Sequence, residues 1–250
     1  ASSENRVVFR DDPVNGPNHL KEAGKPIGHQ NRYLAVGNYE TIDDVFNNAQ
    51  TGSINSVAPG QVVPGDFIYI DFDSNGILNG QDKVAVDELN YPLHTYGLNL
   101  GFDWKGLSFS AMFYAPTGVY KLVNSVYSAS FKSGKINAQP DVMNAWTPET
   151  ANTSGVRAPA LHLTNDGAFN GTESTYRYQN FSYLRLKTME LGYNLPKKWL
   201  KTVGLKSLQV YVTGNNLLTW WGGDDRIDPE GEQAKYPILR SFTSGVRVSF

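Results

Sequence analysis

The chain has 250 residues, a formal net charge of -2 and no cysteine. Near-neutral charge offers no basic stripe for a nucleic-acid partner. Without cysteine there are no disulfide frameworks, thiol nucleophiles or Cys-based zinc sites. Aromatic residues make up 12% and there are 24 glycines, the composition of β-strands joined by polar loops. No stretch approaches the roughly 18 consecutive apolar residues of a membrane-crossing helix. Barrel strands stay open, because their alternation leaves a weak hydropathy signal. Ala1 is not followed by the basic region and apolar core of a signal peptide, so the start reads as an internal cut.

Residues 1–66 are polar and rich in Gly, Pro and Asn, with short apolar pieces such as Tyr33-Leu34-Ala35-Val36. They predict loop with one short strand or helix. Next comes Asp71-x-Asp73-x-Asn75-Gly76-x-x-Asn79-x-x-Asp82, the spacing of an EF-hand-type calcium loop. Oxygen ligands fall at positions 1, 3, 5 and 9, with Gly at 6, the Ile77 carbonyl at 7 and an acid at 12. Calcium needs six or more hard oxygens converging on a point, and glycine permits the turn that brings them round. Position 12 is Asp82 where the loop usually has the longer Glu. The plain alternative is an Asx-rich turn without metal.

Five later segments alternate with period two, the spacing that puts successive side chains on opposite faces of a sheet. Tyr96–Trp104 sets Tyr96, Leu98, Leu100, Phe102 and Trp104 against Gly97, Asn99, Gly101 and Asp103. After Lys105-Gly106 the pattern resumes with Leu107, Phe109, Ala111 and Phe113, which predicts a hairpin with a two-residue turn. In Tyr183–Leu195, Leu184 and Leu186 fall on one face and Met189, Leu191, Tyr193 and Leu195 on the other. That phase slip at Lys187-Thr188 predicts a bulge. Ser207–Leu218 sets Leu208, Val210 and Val212 against Gln209, Tyr211 and Thr213. Arg240–Phe250 closes with Phe242, Val246, Val248 and Phe250 against Thr243, Arg247 and Ser249.

The connections are unequal. Lys105-Gly106 is tight and Pro196–Lys206 is short, with room for a helical turn or two. Residues 115–182 and 219–239 are long and polar. Short turns at one end and long loops at the other are the asymmetry of outer-membrane barrels. A soluble β-sandwich also alternates apolar and polar faces, but runs of about 9–11 residues fit a membrane crossing.

No catalytic constellation emerges. His19, His29, His94 and His162 are scattered and read as loop or surface residues. Asp224, Asp225 and Asp228 read as solvated or metal-adjacent acids more readily than as glycosidase carboxylates, which work at defined separations. The long-loop aromatics Trp146, Tyr176, Tyr178, Trp220 and Trp221 are the ligand-binding candidates, since flat rings stack on sugars and peptides alike. An interfacial aromatic girdle is the equal alternative for Trp220 and Trp221. Lys197, Lys198 and Lys201 read as a solvated basic turn.

Several blocks resemble SusC/RagA outer-membrane proteins. Gly65-Asp66-Phe67-Ile68-Tyr69-Ile70-Asp71-Phe72-Asp73-Ser74-Asn75-Gly76 resembles the family's GDIKYKDLNGDG segment, and Tyr96–Phe102 with Trp104-Lys105-Gly106 its YGLNLGFEYKG hairpin. Trp146-Thr147-Pro148-Glu149 is similar to WTPEN, and Tyr183–Lys187 with Leu191–Pro196 to YLRLKNVTLGYTLP. Tyr211–Leu217 resembles VYVSGQNLFT, Asp228-Pro229-Glu230 resembles YDPE, and Tyr236-Pro237 with Arg240–Phe250 resembles YPLPRTFTFGLNVTF. The blocks run through 65–250 in the family's order.

The resemblance implies an all-β fold: the C-terminal antiparallel strands of a 22-stranded transmembrane barrel with long extracellular loops. Residues 1–95 would form an extracellular loop region carrying the calcium-type loop at 71–82. Residues 96–250 would supply the last five strands, with extracellular loops 115–182 and 219–239. It further implies a multi-pass protein of the bacterial outer membrane that is not an enzyme. That protein would import oligosaccharides or peptides with a SusD-like lipoprotein and the TonB system. The rest of the barrel, its plug and outer-membrane lipid would be the other partners, and Phe250 would mark the strand engaged for assembly. Two rivals stand beside this: a calcium-stabilised β-sandwich that binds carbohydrate at the cell surface, and a β-rich glycosidase.

Overall fold

The computed structural model describes residues 17–47, 62–123, 140–151, 158–162, 170–201, 204–223, 226–231 and 236–250. The chain divides into two compact units, one from Ala1–Asn90 with Lys121–Gln179, the other from Tyr91–Tyr120 with Asn180–Phe250.

The first unit is more ordered than the sequence predicts. Short strands β1 (Gln30–Arg32), β2 (Ala35–Asn38), β3 (Phe67–Tyr69) and β4 (Val84–Val86) form two antiparallel pairs, β1 with β4 and β2 with β3. Helix α1 spans Ile42–Asn47, where Asp44 accepts the Glu40 and Thr41 amides and Thr41 Oγ1 accepts the Asp44 amide. Such reciprocal capping satisfies amides that a first helical turn leaves without backbone partners. Tyr33, Phe67, Tyr69 and Leu78 form a buried cluster, with Ala35 and Val62 packed against it. The described residues within 1–66 therefore hold two strands, an α-helix and a 3-10 turn at Asn18–Leu20 where one short element is expected.

Long-range ties close this unit. The Phe67 amide donates to Asn170 Oδ1 at 3.0 Å, the Ala35 amide to Thr175 Oγ1 at 3.3 Å, and Trp146 Nε1 to Glu40 Oε2 at 3.2 Å. The described parts of 121–179 thus belong to a folded unit.

The second unit carries a five-stranded antiparallel sheet in the order β11-β10-β9-β6-β5. Its strands are β5 (His94–Trp104), β6 (Leu107–Thr117), β9 (Tyr183–Asn194), β10 (Ser207–Trp221) and β11 (Ser241–Ser249). Between β6 and β9, β7 (Tyr120–Leu122) pairs with β8 (Tyr178–Asn180). The sheet is a meander, and β5 and β11 are its open edges. Eleven residues at about 3.4 Å each, tilted about 45°, rise roughly 26 Å, the height of a membrane's apolar band.

Register sorts the side chains by face. Trp104, Leu107, Tyr193, Val210 and Val246 lie in one row, and Phe102, Phe109, Leu191 and Val212 in another on the same face. The opposite face carries Asp103, Ser108, Gly192, Tyr211 and Gly245, then Gly101, Ser110, Glu190, Thr213 and Thr243. No second sheet covers the apolar face among the described residues: Leu98, Phe102 and Val246 are 54%, 53% and 57% exposed. A β-sandwich would bury these side chains against its partner sheet, so that rival loses its main requirement.

The slip in β9 is a bulge. Opposite β6, Thr188 pairs with Met112 and Leu186 with Phe113, leaving Lys187 as the extra residue. A matching irregularity falls on β10 between Asn215 and Leu218, with Asn216 at φ 53°. The bulge corrects the two-face reading: Leu186 and Met189 share the apolar face, where Ala111, Leu186 and Leu217 are buried among Phe109, Phe113 and Met189. Strand β10 runs on to Trp221, which removes Trp220 and Trp221 from the 219–239 loop.

Placing arginine at Leu100, mid-strand on the apolar face, should cost about 2–4 kcal/mol in a bilayer. Asn99→Arg, one residue along on the polar face, should cost far less. Unfolding of the full-length protein from lipid vesicles measures both, and equal costs would contradict the face assignment.

Candidate functional site

The polar face of the sheet is built around a charge network. Arg247 Nη1 donates to Glu190 Oε1 at 3.0 Å and to Gln209 Oε1 at 2.8 Å, while Nη2 reaches Glu190 Oε2 at 3.2 Å. Thr213 Oγ1 donates to Glu190 Oε2 at 2.9 Å, and Gln209 Nε2 to Ser108 Oγ at 3.2 Å. The Arg247 guanidinium lies 4.0 Å from the Tyr211 ring centroid. That ring fits because Gly245 sits beneath it: a Cβ there would come within 2.6 Å of the Tyr211 hydroxyl. Four adjacent strands, β6, β9, β10 and β11, thus share one polar surface, the kind that lines a transporter lumen.

Higher on the same face, Arg185 is nearly fully buried and held by the Asp228-Pro229-Glu230 segment. Its Nη2 donates to Asp228 Oδ1 at 2.7 Å and its Nη1 to Glu230 Oε2 at 2.8 Å. Lys187, the bulge residue, donates to the second Glu230 oxygen. Asp228 also accepts the Glu230, Gly231 and Ile238 amides, at 2.9, 3.2 and 3.2 Å. Burial opposes its ionisation, but the Arg185 hydrogen bond and the backbone amides hold its carboxyl below the usual range. Asp228 is thus a clamp that pins a loop to the sheet; Asp224 and Asp225 lie outside the described residues. Sequence reasoning named both halves of this clamp without joining them, since 43 residues separate Arg185 from Asp228.

The calcium-type loop brings three of its acids together. Asp71, Asp73 and Asp82 each bring a carboxylate oxygen to within 4.8 Å of the other two. Asp71 accepts the Asn75 and Gly76 amides at 3.2 and 2.7 Å. Asp82 is buried and accepts the Phe72 amide at 2.9 Å and the Asn79 amide at 2.7 Å. Asn75 Oδ1 accepts the Ile77 amide at 2.6 Å, and Asn79 Nδ2 donates to the Ile77 carbonyl at 3.1 Å. Three acids around one point, one of them buried, are a donor set that fits a hard divalent cation.

The candidate aromatics divide by surroundings. Trp146 is half-buried against Gly65, Tyr176 stands 4.5 Å from the Phe67 ring, and Tyr178 lies under the Arg32 guanidinium at 3.1 Å. Trp221 packs on Phe181 at 5.2 Å, while Trp220 is 48% exposed on the apolar face. Phe250 is exposed, one residue beyond β11. The sequence also passed over Asp66, buried in the first unit, which accepts from Asn170 Nδ2 at 2.7 Å and pairs with His162 Nε2 at 2.6 Å. This hydrogen bond raises the His162 pKa above its ordinary value against the opposing effect of burial.

The architecture, with one apolar face open and one polar face networked, is that of a sheet from a transmembrane barrel. No family model matches the chain. It is 30% identical over 206 residues to TonB-dependent receptor P3 and 31% identical over 210 residues to TonB-dependent receptor P26, both of Formosa agariphila. These alignments cover 76% and 75% of this chain and 20% of either relative. Among solved structures it resembles the RagAB peptide transporter, with a TM-score of 0.66, 24% identity, and coverage of 94% of this chain and 24% of that one. The RagAB peptide importer in its closed-closed state gives a TM-score of 0.63 at 23% identity, with the same coverage. The chain is thus similar to a stretch of TonB-dependent receptors and shares the fold of the RagAB structures, and it spans about a fifth of the length of the curated relatives it matches. Those relatives are receptors and transporters, not enzymes.

Proposed function

We propose that the whole protein is an outer-membrane importer for large nutrients, peptides or oligosaccharides. This chain would contribute barrel wall and extracellular structure. The observation that carries the reading is the sheet, with an unpartnered apolar face for lipid and a polar face lined by Arg247, Glu190 and Gln209. A plug and the remaining barrel strands, a SusD-like lipoprotein and the TonB system are the partners this function requires. RagAB, named as a peptide transporter, supports the peptide arm. A strain lacking the gene should fail to grow on a defined peptide or oligosaccharide pool as sole source, and loss of TonB should reproduce the defect. Normal growth of the deletion strain on both pools would sink the reading.

We also propose that Asp71, Asp73, Asn75, Asn79, Asp82 and the Ile77 carbonyl hold calcium, which would rigidify this loop. Calorimetry on the full-length protein should show binding that Asp73→Ala weakens on the order of tenfold or more, since sensor-type loops lose affinity with ligand charge. Asp73 is the residue of choice because it is exposed and braces the neighbouring Asn75, whereas the buried Asp82 holds the backbone at Phe72 and Asn79. Absence of heat at millimolar calcium would remove the metal.

A further inference from the structure

The end of the sheet with the short connections carries a concentration of positive charge that import does not use. Lys105 forms the β5–β6 turn at φ 48°, and its ammonium lies 4.9 Å from the Trp104 ring centroid. Helix α2 (Lys197–Lys201) follows β9 and adds Lys197, Lys198 and Lys201. Lys206 precedes β10, where its amide donates to the Ser249 carbonyl of β11 at 2.8 Å. All five lysines are exposed, and Asp103 is the single acidic residue in 103–107, 193–201, 204–208 and 247–250.

Backbone contacts hold these turns to one rim. The Asn194 amide donates to the Gly106 carbonyl at 2.7 Å, and the Leu195 amide to the Leu208 carbonyl at 2.9 Å. Five adjacent strands spaced about 4.8 Å apart make that rim roughly 19 Å wide, several lipid headgroups across. Leu200 is buried and anchors α2, while Trp199 and Trp104 project at 64% and 63% exposure. Indoles settle at the headgroup level of a bilayer, and ammonium groups on long stems reach past them to phosphates.

Resting on the outer-membrane reading proposed above, we infer that this rim is a binding surface for anionic phospholipid headgroups of the periplasmic leaflet. Short connections face the periplasm in outer-membrane barrels, so the lysines meet the phospholipid leaflet. The indoles fix the depth, and the lysines supply the charge preference. Such attraction is worth on the order of fivefold per engaged lysine and weakens with salt.

The test uses the full-length protein in vesicles containing spin-labelled phosphatidylglycerol or phosphatidylcholine. Wild type should retain phosphatidylglycerol severalfold more than phosphatidylcholine, and the preference should shrink in high salt. Replacing Lys105, Lys197, Lys198, Lys201 and Lys206 by Gln should abolish it, whereas Arg at the same five positions should keep it. Equal retention of the two lipids by wild type, or an undiminished preference in a folded Gln variant, overturns the proposal. Failure to recover a folded Gln variant leaves the wild-type lipid and salt comparison to decide. A separate measurement isolates the underlying reading. Lys198→Cys, in a full-length protein without other cysteines, should resist an impermeant maleimide in intact cells and react once the outer membrane is opened. Labelling in intact cells would reject the orientation itself; protection without lipid preference would reject only the lipid site.

Discussion

Arg185→Met should destabilise the full-length protein by about 3 kcal/mol, at the lower end of the range for breaking a buried ion pair from one side. The guanidinium is 2% exposed and satisfies both Asp228 and Glu230, whose side chains are 11% and 27% exposed. Removing it strands two carboxylates beside an apolar thioether and releases the loop they carry. Lys187 would still hold one Glu230 oxygen, which moderates the loss. Adding Asp228→Asn and Glu230→Gln should recover part of the stability, because the stranded charge then disappears. Unfolding in lipid vesicles and protease cleavage near 227–231 report the two effects. A single variant within about 0.5 kcal/mol of wild type, the range of ordinary surface changes, would show that the clamp is ornamental.

The second large effect is expected at Gly65. Its φ is +93°, and a Cβ would come within 2.5 Å of both Ala160 Cβ and Trp146 Cε3. Its carbonyl also accepts from Asn38 Nδ2 at 3.0 Å and from the Ala160 amide at 2.9 Å, so the backbone cannot swing aside without breaking both. Gly65→Val therefore combines backbone strain of about 1–3 kcal/mol with overpacking of about 1–3 kcal/mol. Protease added to the purified full-length protein should then cut the first unit faster than in wild type. Gly65→Ala keeps the unfavourable φ but adds only the Cβ, and should fall in between. Wild-type resistance in Gly65→Val would refute the packing account.

The strands were the legible part, and the reasons are local. Tyr96–Trp104 and Leu107–Phe113 share a strict period around a two-residue turn, so neither face nor register needed distant information. The end of β10 was misplaced at Leu218 because the bulge at Asn216-Leu217 breaks the period just before Trp220 and Trp221, which pair with Leu184 and Tyr183. The first unit was largely illegible. Its strands are three or four residues long, and what holds them is remote: Asn170 for Phe67, Thr175 for Ala35, Glu40 for Trp146. In the calcium-type loop the spacing was readable because every contact lies within a dozen residues. The Arg185 clamp was not, since a charge declares its partner only through the fold.

The two-segment build of the first unit has a consequence for the order of events in folding. The hairpin β5–β6 is a local structure that can close within microseconds. Two of the unit's seals, Phe67 to Asn170 and Ala35 to Thr175, span 103 and 140 residues, so neither can form until the polypeptide from Asn170 on has emerged. Contacts so distant in sequence carry a loop-closure entropy that nearby contacts must first repay. The N-terminal half of the unit therefore waits, its Phe67 without the Tyr176 ring that packs on it, while later sequence is made and delivered. That interval is a window of exposure, and a chaperone that shields nascent aromatic segments would find its substrate there.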